Sequence, residues 1–194
     1  MSRKEILDEF RHAGALLEGH FVLSSGLHSA AYIQCARVFM DASRADRLCA
    51  EVKDKIIEAG IGDFDMVASP AMGGVVVGYE MGRQFSKPSI FFERVEGKLT
   101  LRRGFEIPEG TRCLMMEDIV TTGLSSRECI KAIRQEGGEV IGASCLIDRS
   151  ARRAKLGVPL VSLLEMEIPA YAPDEIPPEL GAIPAAKPGS RGLR

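Results

Sequence analysis

The sequence predicts an α/β fold, an open and mainly parallel sheet with helices on both faces, preceded by a small N-terminal hood. Two observations carry this. From residue 66 onward, short strand-like runs alternate with helical patterns. Several of those runs, such as Cys113-Leu114-Met115-Met116, are unbroken apolar stretches, which marks parallel strands covered on both faces. A length of 194 residues suits one domain with a small appendage.

The elements follow in order. Ser2 and Glu5 have capping-box spacing, and Ile6, Leu7, Phe10, Ala13, Leu16 and Leu17 fall on one helical face, so the first helix is expected to run until Gly19. A loop and a strand are expected over 20–37. A second helix spans 42–59, with Ala45, Leu48, Val52 and Ile56 facing inward and Gly60 beyond its end. A strand at 66–69 runs into Pro70 and Gly73-Gly74, then a helix from about 75 to 84. Strand 89–93 leads into a polar, basic loop at 94–104, and 107–110 is a turn. Strand 112–116 is followed by a helix over 125–136, with Ile130 and Ile133 apolar. Strands at 140–147 and 158–164 complete the sheet. Six of the ten prolines lie beyond Ile168, predicting an extended, non-helical tail. The expected division is a single domain at 1–168, with the hood at about 1–38, and a Pro-rich tail at 169–194.

Composition excludes several classes. Lys plus Arg is 25 against 27 Asp plus Glu, a net charge of -2, which argues against a dedicated nucleic-acid-binding domain. MSRKEILDEF lacks a signal-peptide apolar stretch, and no run has membrane-span length, so a cytoplasmic location without membrane attachment is expected. Cys35, Cys49, Cys113, Cys129 and Cys145 form no C-x-x-C pair and read as free, mostly buried thiols rather than zinc ligands.

The chemistry concentrates in CLMMEDIVTTGLSS, residues 113–126. An apolar strand ends in two adjacent carboxylates, Glu117 and Asp118, followed by Ile119 and Val120. Thr121, Thr122 and Gly123 then turn into a helix. In an open parallel sheet the ligand crevice lies at such carboxyl ends. A Thr/Gly turn at a helix N-terminus offers backbone N–H groups, hydroxyls and a positive dipole end, which suits a phosphate. Two acids beside a phosphate need another task, and binding a vicinal diol or helping to hold Mg²⁺ would supply one. A ribose 5-phosphate meets both demands. The alternative is an ordinary strand-end turn with solvated acids.

This stretch closely resembles the signature of the type I phosphoribosyltransferases. The resemblance implies that Glu117 and Asp118 contact the ribose hydroxyls of phosphoribosyl pyrophosphate (PRPP). It also implies that the segment of Ile119, Val120, Thr121, Thr122, Gly123, Leu124 and Ser125 holds the substrate, with the 5'-phosphate on 121–125. Within the family, GHFVLSSGLHSAAYIQCARV at 19–38 is similar to the N-terminal region of orotate phosphoribosyltransferases. ASPAMGGVVVG at 68–78 resembles their pyrophosphate-side loop. FFERVEGKLTLRRGF at 91–105 resembles the mobile basic loop that closes over the site, often a neighbouring subunit's. LIDRS at 146–150 resembles the strand end whose Arg contacts orotate, here Arg149. KPGSRG at 187–192 resembles the ending of a longer-tailed branch.

The implied enzyme transfers phosphoribosyl from PRPP to orotate, giving orotidine 5'-monophosphate and pyrophosphate in UMP synthesis. Its implied catalytic residues are Arg94, Lys98 and Asp118, and orotate would meet Thr121 and Arg149. Mg²⁺ would be held by pyrophosphate and ribose hydroxyls rather than directly by the protein. A homodimer sharing the basic loop between sites is also implied. The chain departs from many relatives in lacking Lys at Ser24, Gly73 and Val95 and a His near Thr100; Arg102 and Arg103 are the candidates to compensate. His20 and His28 read as polar surface in loops, and Phe21 and Tyr32 as packing residues. The alternatives are a purine or uracil phosphoribosyltransferase, or a non-catalytic PRPP-sensing regulator.

Overall fold

The computed structural model describes residues 1–23 and 25–187. Ser24 and residues 188–192 of the KPGSRG ending therefore lie outside the described residues. The elements are α1 (Arg3–His12), β1 (Leu16–Val22), β2 (His28–Ile33), a 3-10 turn (Cys35–Met40), α2 (Ala42–Glu58), β3 (Met66–Pro70), α3 (Gly73–Phe85), β4 (Ser89–Val95), β5 (Lys98–Leu101), β6 (Arg112–Val120), α4 (Leu124–Gln135), β7 (Glu139–Asp148), β8 (Leu160–Glu165), β9 (Ala170–Tyr171) and α5 (Pro178–Gly181).

The main sheet has six strands in the order β5-β4-β3-β6-β7-β8. All pairs are parallel except β4 with β5. Alternate side chains of β6 feed opposite layers. Leu114 and Met116 join the core built with Leu48, Val52 and Ile56 of α2 and Val77 and Met81 of α3. Cys113 and Met115 join the core built with Cys129, Ile130 and Ile133 of α4. A strand buried on both faces cannot alternate apolar with polar, which is why the sequence of β6 reads as one apolar run.

The first helix is shorter than its apolar pattern suggests. The capping box forms, with Ser2 N donating to Glu5 Oε2 at 2.6 Å and Glu5 N donating to Ser2 Oγ at 3.3 Å. The helix ends five residues before Gly19's predicted stop, at Gly14, whose φ is +61°. Gly14 N donates to Arg11 O and Ala15 N to Phe10 O, both at 2.8 Å, the paired bonds of a glycine C-cap. Leu16 and Leu17 thus belong to β1, where Leu16 is buried and Leu17 exposed.

Two further boundaries shift. Residues 94–104, expected as a loop, contain the turn and second strand of a β-hairpin. Glu96 and Gly97 both have positive φ, +49° and +83°, the geometry that joins two twisted strands through a two-residue turn. The tail is not wholly extended. Pro177 and Pro178 start the short helix α5, where a proline's missing N–H costs nothing, and Leu180 is buried beneath it. The tail also supplies β9, so that β1, β2 and β9 form a separate antiparallel sheet, the hood.

Candidate active site

Parallel strands align their carboxyl ends, so the segments after β3, β6 and β7 share one rim. Arg149 N donates to Val120 O at 2.8 Å, and Val120 pairs with Asp148 in the sheet. This sets Thr121 and Arg149 side by side, one residue beyond each strand. On the other side of β6, α3 begins against the acid pair. A Cβ placed on Gly73 would stand 2.7–2.8 Å from the Asp118 carboxylate, and one on Gly74 3.0 Å from Met116 O. A side chain at position 73 would thus meet the Asp118 carboxylate itself.

Glu117 is buried and Asp118 half-buried. Burial, and then the Asp118 charge, push the Glu117 carboxyl up to about 8. Burial also raises Asp118, against the opposing pull of a 2.8 Å bond from Ile119 N to Asp118 Oδ1. Two desolvated acids in contact share a cost that a cation or hydroxyl donors at the rim would relieve.

After Val120 the chain turns over Thr121, Thr122 and Gly123. Gly123 has φ +73° and caps α4, a conformation L side chains rarely adopt. A Cβ there would also meet Leu156 Cδ2 at 2.8 Å and Ala154 Cβ at 3.1 Å, so the segment after Arg149 packs behind the turn. Leu124 N donates to Thr122 Oγ1 at 3.3 Å, and Thr121, Thr122, Leu124 and Ser125 are exposed. Open N–H groups, hydroxyls and the dipole end converge at this helix start. Arg127, one turn into α4, donates from Nη1 to Thr122 O at 3.0 Å. Arg127 has no motif signal of its own beyond its position four residues after Gly123, on the first helical turn.

Arg149 is half-buried, and its Nε is fully buried without a hydrogen-bond partner among the described residues. Burial lowers its guanidinium from the usual range. An unpaired buried donor beside Thr121 suits an anionic group. Beneath the rim, Asp148 Oδ1 accepts from Ser150 N at 2.7 Å and Cys35 Sγ donates to Asp118 O at 3.8 Å. All five cysteines are free and buried.

The basic hairpin is only partly brought to this rim. Residues directly opposite in an antiparallel pair share a face, and Arg94 pairs with Leu99 while Val95 pairs with Lys98. Arg94 and Lys98 therefore point to opposite faces. Arg94 turns toward α4, where its Nη2 lies 2.5 Å from Glu128 Oε2. Lys98 is exposed on the other face. Arg103 donates to Glu93 through bonds of 3.0 and 2.8 Å. His20 is buried rather than a surface residue.

Comparison with known proteins decides the family. The model of the phosphoribosyl transferase domain matches residues 40–169. A protein of Methylorubrum populi named orotate phosphoribosyltransferase is 55% identical over 194 residues, covering 100% of this chain and 98% of that protein. The chain belongs to the orotate phosphoribosyltransferase family. A second family member, the orotate phosphoribosyltransferase of Caulobacter vibrioides, is 54% identical, with 100% of both chains covered. The fold is also that of the family: the crystal structure of orotate phosphoribosyltransferase from Aeropyrum pernix superposes with a TM-score of 0.72 at 27% identity, covering 84% of this chain and 94% of that one. The hood and the tail beyond residue 169 lie largely outside the stretch that the family model matches.

Proposed function

We propose that the protein transfers the 5-phosphoribosyl group of PRPP to orotate, releasing pyrophosphate and giving orotidine 5'-monophosphate for pyrimidine synthesis. The observation that carries this reading is the juxtaposition at one rim of the acid pair, the Gly123 helix start and the unpartnered Arg149. Full-length identity of 54–55% to proteins named orotate phosphoribosyltransferase supports the same substrate.

In this reading Glu117 and Asp118 accept hydrogen bonds from the ribose hydroxyls. The N–H groups and hydroxyls of Thr121, Thr122, Gly123, Leu124 and Ser125 take the 5'-phosphate, while Ile119 and Val120 wall the sugar. Thr121 and Arg149 orient orotate, with the guanidinium on its carboxylate. Orotate nitrogen attacks the anomeric carbon as the bond to pyrophosphate breaks, so catalysis is positioning and electrostatics without a covalent enzyme intermediate. Arg94 and Lys98 neutralise the charge that gathers on the leaving group. The acid pair fits a nearby cation, since burial raises both carboxyls and a positive charge at the rim would relieve that cost. Mg²⁺ bound with the substrate beside Glu117 and Asp118 would supply Lewis-acid withdrawal of charge from the leaving group.

The partner assembly in this reading is a homodimer. Met72, Val76 and Tyr79 form an exposed stripe on α3 at helical spacing, and Met40 lies exposed at the end of the 3-10 turn packed on that helix; Met72 and Met40 are 84% and 80% exposed. In this reading a second copy covers this face, and the exposed Lys98 serves that copy's site. Free buried thiols fit a cytoplasmic setting, and no described helix is long and apolar enough to cross a membrane.

Steady-state kinetics of Arg149→Leu test the orotate assignment. The orotate KM should rise at least about tenfold, as for loss of a charge-assisted hydrogen bond, while the PRPP KM stays within about twofold. An unchanged orotate KM would remove Arg149 from the base site.

A further inference from the structure

The hood contains a histidine pair that the proposed chemistry does not use. His20 on β1 is buried, and His28 on β2 is half-buried. His20 Nδ1 lies 2.9 Å from Ile183 O of the tail, and His20 Nε2 lies 2.6 Å from His28 Nδ1. A carbonyl can only accept, so His20 Nδ1 carries the hydrogen. In the neutral ring Nε2 is then an acceptor, and His28 Nδ1 must donate to it. With both rings neutral the order runs one way: His28 donates to His20, and His20 donates to the tail backbone.

The tail grips the hood at both edges around this pair. On the β1 side, Ala186 N donates to His20 O and Val22 N to Ala186 O, both at 2.8 Å. On the β2 side, β9 pairs Ala170 with Ser29, and Ser29 Oγ donates to Pro169 O at 3.0 Å. A two-stranded hairpin is marginal alone, so these edges give β1 and β2 much of their definition. From β2 the chain passes through Gln34 to Cys35, whose thiol reaches Asp118 O at 3.8 Å. The strand that carries His28 therefore leads, within a few residues, to the acid pair.

We propose that His20 and His28 are positioning residues, an ordered hydrogen-bond relay that fastens tail residues 170–186 across the hood and so holds β2 in register with the substrate site. The kinetic consequence rests on the orotate reading of that site; the fastening itself does not.

The test compares full-length wild type, His28→Leu and His28→Asn by hydrogen exchange and by steady-state kinetics. His28→Leu should speed exchange of the Val22 and Ala186 amides about tenfold, the equivalent of one lost hydrogen bond. It should raise the PRPP KM several-fold, because β2 leads to the acid pair that takes the ribose, while the orotate KM stays within about twofold. His28→Asn, which keeps an N–H donor near the Nδ1 position, should restore both. Wild-type exchange in His28→Leu overturns the proposal, and so does His28→Asn behaving like His28→Leu. If wild type releases no pyrophosphate with orotate, the base assignment fails, while the amide rates still decide whether the pair fastens the tail.

Discussion

Glu117 joins chemistry to stability at a single carboxyl. Its folded-state value of about 8 lies above its ordinary 4.5, so the stability tied to this group is complete below about 4.5 and is lost as pH rises through about 8. Glu117→Gln is neutral throughout and escapes that loss. Its melting temperature relative to wild type should therefore climb between about pH 5 and about pH 9 in the absence of substrate, as followed by thermal denaturation. A difference independent of pH would mean that Glu117 is not held protonated by its surroundings. The two acids were legible in the sequence because adjacent carboxylates at the end of an apolar strand have few other uses. Gly73 was legible only as a departure. Its reason, a Cβ-sized space already taken by Asp118, depends on how α3 approaches β6, and no local pattern records that. His20 was misread for the same reason: its burial comes from a tail more than 160 residues away in sequence.

Among the elements, the β4–β5 hairpin departs furthest from its sequence pattern. Arg94, Lys98 and the arginines after them read as a basic loop, because Glu96-Gly97 is a less familiar turn signal than Asn-Gly. In the structure the hairpin divides its charges between two faces, with Arg94 against Glu128. That ion pair is partly exposed and worth at most about 1 kcal/mol, so Glu128→Gln should lower the PRPP KM by no more than about fivefold by freeing Arg94. Lys98→Ala should instead cut kcat at least about tenfold, with an unchanged melting temperature, since Lys98 is exposed. Equal and small effects of both substitutions would argue against a shared task on the leaving group. The α1–β1 boundary was missed because Leu16 and Leu17 continue the helical spacing by chance, and the decisive signal was Gly14.

At the scale of the whole molecule, the near-neutral balance of 25 basic and 27 acidic residues conceals a separation. Cations lie on the hairpin and at Arg127 and Arg149, and the acids lie at the end of β6. The parallel sheet was legible because burial on both faces writes itself into the strands as apolar runs. The N-terminal hood was legible too, but the tail's share in it was not, because its sheet is assembled from both ends of the chain. If a neighbouring copy lends Lys98 to each site, mixing Lys98→Ala protein with Asp118→Asn protein under conditions of subunit exchange should return activity that neither variant has alone. No recovery, with exchange verified, would place each site within one chain. The most direct test of the central claim is pyrophosphate release from PRPP and Mg²⁺ with orotate, uracil, hypoxanthine or adenine as the only base. Release is expected with orotate alone, and release with another base but not with orotate would contradict the function proposed here.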